Sequence, residues 1–196
     1  MVKQGDTLFD LASNYLVHPG AYRQLQRINR VTNPWRLPIG RELRMPRALL
    51  RWGPDQARIV HFRGTIRLGS GEAPALGGLL GEGASLTTGA NSFVRLAFSD
   101  GSHVTVPSNS RVRIARLRRY RLHGAVEQSL MVEAGRAEAE AAPRRRPGGF
   151  EVRTPVSVSA VRGTEFRVSY REAVSLAGTE VLEGRVAVGP RRPSSA

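Results

Sequence analysis

The stretch FEVRTPVSVSAVRGTEFRV, Phe150 to Val168, constrains the fold of this chain more than any other. Apolar side chains fall at Phe150, Val152, Val156, Val158 and Ala160, and again at Phe166, Val168 and Tyr170. All are even-numbered, so an extended chain carries them on one face. Two half-buried strands are therefore predicted, one on each side of Gly163. Arg162 is also even and would send a guanidinium into the core of an unbroken strand, at a cost that demands a partner. Either Gly163 resets the register at a bulge or turn, or Arg162 is buried and held by backbone carbonyls or a carboxylate, with Glu165 the candidate. Under both readings VRGTEF is a structural corner and not a catalytic site.

A chain of 196 residues with 21 Gly and 12 Pro suits one full core plus a small satellite domain with many turns. The formal charge of +14 is spread, with +5 in residues 1–50, +7 in 51–150 and +2 in 151–196, and one dense cluster at Arg111–Arg121. A spread excess suits any polyanion: nucleic acid, anionic lipid or an anionic wall polymer. Lys3 is the only lysine, a bias read as codon usage more than as a demand for phosphate or carboxylate forks. With no cysteine there is no disulfide framework, thiol nucleophile or thiolate metal site. An aromatic content of 6% argues against a large carbohydrate-stacking cleft. No apolar run approaches the roughly 20 residues that span a bilayer. Because the numbering opens inside what reads as a strand, an upstream segment is expected.

Residues 1–49 have their own texture. Thr7 followed by Asp10 reads as a capping box, and Leu8, Leu11, Ala12 and Tyr15 continue at helical spacing. His18-Pro19-Gly20 ends that helix, and a second is predicted over Ala21–Asn29 with Tyr22, Leu25 and Ile28 inward. Strands are expected at Met1–Lys3 and Glu42–Met45, giving strand, helix, helix, strand around a thin core. Residues 50–57 read as a linker, with Trp52 docked on either side. Period-two alternation then takes over. Val60, Phe62, Gly64, Ile66 and Leu68 are predicted as one strand face, and Leu76, Leu79 and Leu80 as core.

Val94, Leu96 and Phe98 lead to Asp100-Gly101, and Val104 and Val106 lead away, which predicts a hairpin with a two-residue turn. Asp100, Ser102 and His103 invite a triad reading, against which the Asp-Gly turn is the stronger one. Arg111–Arg121 reads as a strand with a basic face; binding of phosphates, with Tyr120 stacked on a base, ranks behind simple solvation. Glu133-Ala134-Gly135-Arg136 echoes Glu183-Gly184-Arg185, and glycines at such positions mark bends or close backbone approach in a β roll or sandwich. The four histidines, His18, His61, His103 and His123, are scattered without ligand spacing, and no paired carboxylates or nucleophile elbow accompany them. No catalytic residue, metal or cofactor is expected.

Gly5-Asp6-Thr7-Leu8, Leu11-Ala12, Leu25, Asn29, Asn33-Pro34, Leu37, Gly40, Leu43 and Met45-Pro46 together resemble a LysM module, a βααβ domain that binds N-acetylglucosamine glycans such as peptidoglycan. The resemblance implies a shallow sugar groove with Gly5, Asp6, Thr7 and Leu8 on one wall and Asn33, Pro34, Trp35, Arg36 and Leu37 on the other. Backbone groups of two loops suit acetamido groups, Leu8 and Leu37 suit the apolar sugar face, and Trp35 either stacks on a pyranose or covers the small core. Residues 58–189 resemble a FecR domain through Leu86-Thr87-Thr88-Gly89, Phe98-Ser99-Asp100-Gly101-Ser102, Glu133-Ala134-Gly135-Arg136, Phe150–Pro155, Val161–Phe166 and Leu182–Val186. Its structural signature here is Asp100, Gly101, Thr154, Pro155, Arg162, Gly163, Thr164, Glu165 and Phe166.

The second resemblance implies an all-β domain on the periplasmic side of a bacterial envelope; the best-known members are transmembrane sigma regulators that hear of ferric siderophore from an outer-membrane transporter. Here a LysM-like segment precedes the domain instead of a sigma-binding one, so the resemblance is read for its fold. The expected organisation is an α+β LysM module (1–49), a linker (50–57), an all-β FecR-like sandwich or roll (58–189) and a tail (190–196). The expected role is a non-catalytic periplasmic or cell-wall protein that binds peptidoglycan and uses the FecR domain as scaffold or protein-contact module. The alternative is a FecR-type signal-transduction regulator anchored to the wall. A protein partner of the FecR domain is allowed, while nucleic acid is not expected.

Overall fold

The structure is a computed structural model, and it describes residues 1–142, 149–161, 165–183 and 186–190. The chain divides into two compact units, one made of Met1–Gly53 with Arg119–Ala125 and the other of Pro54–Arg118 with Val126–Ala196.

In the first unit α1 runs Leu8–Tyr15 and α2 runs Tyr22–Ile28, entered through a short 3-10 turn at Pro19–Ala21. Thr7 starts α1 as the sequence predicts. Its hydroxyl oxygen accepts the Asp10 N–H at 3.0 Å and its O–H donates to the Asp10 carboxylate at 2.6 Å. One face of each helix closes a small core of Val2, Leu8, Ala12, Leu16, Leu25, Val31, Leu37 and Leu50, completed by Tyr120 from the distant 119–125 segment. The expected flanking strands are reduced to one exchange, Val2 N–H to the Arg41 carbonyl and the Gly40 N–H to the Val2 carbonyl, both 2.9 Å. Asn29 ties α2 to the second of these segments. Its amide donates to the Arg44 carbonyl at 2.9 Å and its oxygen accepts the Arg44 N–H at 2.6 Å. Ile28, expected inward, is instead 38% exposed, because α2 ends there and its buried stripe runs only through Leu25.

Residues 50–57 carry regular structure: Leu50 is buried and bridged to Leu16, Trp52–Pro54 is strand β1, and Ala57 opens β2. The second unit is built from β2 (Ala57–Arg63), β3 (Ile66–Leu68), β4 (Leu79–Leu80), β5 (Ser85–Thr88), β6 (Phe93–Ala97), β7 (His103–Val106), β8 (Arg111–Tyr120), β9 (Val126–Glu140), β10 (Gly149–Arg153), β11 (Ser157–Val161), β12 (Glu165–Arg171), β13 (Leu176–Glu183) and β14 (Val186–Pro190). Strand β9 belongs to two sheets. Its first half continues the order β3-β5-β8-β9-β10-β11-β14, and its second half the order β4-β2-β6-β7-β9-β12-β13.

The transfer happens at Gly135. Before it the buried side chains of β9 include Val126, Gln128, Leu130 and Val132, and after it Ala137 and Ala139, so the inward face changes from even to odd positions. Gly135 has φ of 80°, and a Cβ there would lie 2.5 Å from the Asn109 carbonyl oxygen and 2.5 Å from Ser110 Oγ. Only glycine meets both demands. The sheets close over one core in which Phe98, Phe150 and Phe166 interlock edge to face, with centroids 6.1 Å and 6.3 Å apart. The chain is thus an α+β module joined to an all-β domain.

Phe150, Val152, Phe166, Val168 and Tyr170 are buried as the alternation predicts. Strand β11 is different. Val156 is 41% exposed and Ala160 is also exposed, while Ser159 is buried. The reason is the turn at Thr154. Its hydroxyl accepts the Ser157 N–H at 2.9 Å, and the resulting antiparallel register sets Val152 opposite Ser159, so even positions of β10 share a face with odd positions of β11. The alternation is even again in β12. Arg162, Gly163 and Thr164 lie outside the described residues, and with them the choice between a reset and a buried guanidinium; Glu165 is exposed.

Two further expectations are corrected. The Val60–Leu68 run is split by a bulge between Ile59 and His61 and by Gly64 at φ of 79°, which leaves Val60 exposed and Ala57 and Ile59 inward. Leu76 and Leu79 are 68% and 51% exposed, since β4 has two residues and only Leu80 turns into the core.

Candidate functional site

The two loops with predicted ligand residues meet in the first unit. Gly5 takes φ of 85°, which lets the chain fold back so that the Asp6 carboxylate accepts the Lys3 N–H at 2.8 Å. The other loop is held by Asn33, whose side-chain oxygen accepts the Trp35 N–H at 2.9 Å. A 2.8 Å bond from the Leu8 N–H to the Pro34 carbonyl joins the two. The walls are therefore preorganised by backbone and short polar side chains, with little freedom left to lose on binding a ligand.

The predicted residues divide by exposure. Gly5, Asn33, Trp35 and Arg36 are exposed, and Asp6, Thr7 and Pro34 half-buried. Leu8 and Leu37 are buried in the small core, so their side chains do not face a ligand, and the Leu8 N–H is already used by Pro34. Thr7 caps α1, and Asp6 closes the turn before it. Trp35 resolves toward the surface: it is 63% exposed, and its ring lies tilted at 33° against Phe9 with centroids 6.1 Å apart.

Two aromatic residues join it that sequence reasoning did not place there. Phe9 is 41% exposed and stands between Trp35 and Tyr22, meeting the latter edge to face at 6.0 Å. Phe9 follows the buried Leu8, so its helical position pointed outward, and a large aromatic there was the available signal. Tyr22 was assigned inward; it is half-buried, with Arg23 donating to its hydroxyl at 3.3 Å and standing 5.9 Å over its ring. The row Tyr22, Phe9, Trp35 presents three aromatic surfaces beside two backbone loops, which suits apolar sugar faces better than charged groups.

Comparison with known families finds the LysM domain at residues 1–46 and FecR protein at residues 84–187, the latter more than half of the chain. The chain belongs to the FecR family. No curated protein and no solved structure matches. The LysM domain associates this FecR protein with glycan or peptidoglycan binding, and the FecR domain with signal-transduction regulators. Both families are generally non-catalytic and typically extracytoplasmic. No described helix is long and apolar enough to cross a membrane.

Of the described signature residues in the FecR domain, Asp100 and Gly101 build a turn. Gly101, at φ of 87°, closes a three-residue turn in place of the predicted two-residue one: Ser99 and Asp100 precede it, and the Phe98 N–H binds the Ser102 carbonyl at 2.9 Å. The Asp100 carboxylate accepts from Ser102 N–H at 3.1 Å, Ser102 Oγ at 3.0 Å and Gln128 Nε2 at 2.8 Å. Ser102 is fully buried and accepts the Ala142 N–H, which makes the set a turn lock.

The basic strand is neutralised on the FecR surface. Arg111 and Arg113 pair with Glu133 at 3.3 and 3.1 Å, Arg116 with Glu127 at 3.1 Å, and Arg118 with Glu82 at 2.6 Å. Arg118 also holds the Glu82 carboxyl below its ordinary range, chiefly through its hydrogen bonds and with help from the Leu117 N–H. Tyr120 is buried, so its ring offers no base a stacking surface.

Proposed function

We propose that this FecR-family protein binds peptidoglycan through the LysM module and uses its β domain as a scaffold for protein contacts. The observation that supports this most is the row of exposed Trp35 and Phe9 and half-buried Tyr22 beside loops locked by the Leu8–Pro34 hydrogen bond. In this reading the exposed backbone of Gly5–Thr7 and Asn33–Arg36 meets acetamido groups, and Trp35 stacks on a pyranose. Leu8 and Leu37 act from below by holding the loops. One such shallow groove binds a single sugar weakly, but the polymer repeats its ligand, and retention grows with effective concentration when several copies engage one strand. Cosedimentation of the whole chain with insoluble peptidoglycan tests the reading; recovery entirely in the supernatant would refute it.

A second reading, a wall-anchored signal-transfer regulator, is favoured by the edges of the β domain. Among the described residues, strand β13 pairs only with β12 and β14 only with β11, and Leu176, Leu182 and Val188 on them are 57%, 55% and 57% exposed. Unpaired edges with apolar side chains suit strand addition by a protein partner. Crosslinking in an envelope extract, compared with a Leu176→Glu, Leu182→Glu chain, tests it; identical crosslinks from both chains would remove the edge from consideration.

A further inference from the structure

Helix α2 carries Arg23 and Arg27 four residues apart on one face, and Arg30, at φ of 49° in the turn after it, extends them into a stripe along one cleft. All three are exposed. Among the described residues, none has a carboxylate partner. The acids of this segment are Asp6, Asp10 and Glu42, and the first two are engaged at the start of α1. By contrast, Arg111, Arg113, Arg116 and Arg118 of strand β8 each meet a glutamate. Like charges four residues apart on a helix, as at Arg23 and Arg27, repel.

This stripe lines an open cleft of about 510 Å³ whose wall also includes Tyr22, Gln26 and Pro34. The cleft shares Pro34 and Tyr22 with the proposed sugar groove. Pro34 supplies the carbonyl that joins the two loops, and Tyr22 begins the aromatic row that ends at Trp35. A glycan lying along that row therefore brings its substituents over the guanidinia. Arginine forks match carboxylates in two parallel hydrogen bonds, and Gln26 adds a neutral donor and acceptor.

We propose that the Arg23–Arg27–Arg30 cleft is a second subsite that binds the carboxylates of peptide substituents, so that the ligand is peptide-bearing peptidoglycan and not a neutral N-acetylglucosamine polymer. This rests on the glycan-binding reading above and narrows its ligand. Three exposed charge-assisted contacts together favour the peptide-bearing strand by about tenfold at low salt. The preference shrinks as salt rises, because exposed pairs are screened.

The test compares soluble peptide-bearing peptidoglycan fragments with a neutral N-acetylglucosamine oligomer of equal sugar number, by calorimetric titration of the whole chain. The expected result is tighter binding of the peptide-bearing fragment by wild type. In Arg27→Gln, Arg30→Gln, which leaves Arg23 on Tyr22, most of that advantage is lost while affinity for the neutral oligomer, which also reports a folded groove, is unchanged. An Arg44→Gln, Arg47→Gln chain removes charge from the same unit outside the cleft and keeps the advantage. Equal affinity of wild type for both ligands would overturn the subsite and leave the groove standing. Binding of neither would overturn the groove as well. An equal gain with polyphosphate, which has no sugar, would mean a general polyanion surface and also refute the proposal.

Discussion

Replacement of Tyr120 by Ala is expected to unfold the small unit selectively. Tyr120 lies at the end of β8, yet it is 6% exposed within the core formed by Leu8, Leu16, Leu25 and Leu50. Loss of a buried aromatic side chain costs about 3–5 kcal/mol, from the transfer term and the cavity together. The unit has about 60 residues, for which a total stability of roughly 3–9 kcal/mol is ordinary. The substitution therefore removes a large share, and the midpoint of urea unfolding should fall by about 3–5 M at a slope near 1 kcal/mol/M. Both tryptophans, Trp35 and Trp52, belong to this unit, so intrinsic fluorescence reports it alone. Leu25→Ala, also in this core, should shift the same signal in the same direction. A fluorescence midpoint within about 0.5 M of wild type would refute the assignment of residues 119–125 to the small core.

Gly135→Ala should destabilise the β domain by about 3 kcal/mol or more, combining the left-handed backbone cost with contact against the Asn109 carbonyl, as followed by far-UV circular dichroism in urea. Trp35→Ala should change unfolding free energy by less than about 0.5 kcal/mol, since the ring is exposed, and still abolish glycan retention. Because the folded Glu82 carboxyl is held below its ordinary range, its contribution is present above that range and lost as pH falls through the lowered value. Glu82→Gln should accordingly flatten the acid limb of the stability-against-pH curve while lowering stability at neutral pH, measured by denaturant titration between pH 3 and pH 7.

The small domain was legible because its signals are local: the Thr7–Asp10 cap, the helical spacing and the Asn33-Pro34 turn act within a few residues of themselves. Burial of Tyr120 was not, because it depends on a segment some seventy residues beyond the module. In the β domain the alternation of β6, β7, β10 and β12 named the core correctly. It failed in β11 and β2, where a turn register and a bulge shift the inward face by one residue without altering the pattern of apolar letters. At the candidate site the motifs point to the two loops, but Leu8 and Leu37 belong to the core, and Phe9 and Tyr22 join the surface through packing that the local sequence does not encode. A hydrophobic letter does not say which side of a thin helix it occupies until its neighbours are packed.

Retention on insoluble peptidoglycan, with wild type and Trp35→Ala compared in the same buffer, tests the central claim most directly. The account predicts that wild type sediments with the polymer and stays bound at moderate salt, while the folded variant remains in solution. Wild type left wholly in the supernatant, or both proteins pelleting equally and released together by salt, would contradict it.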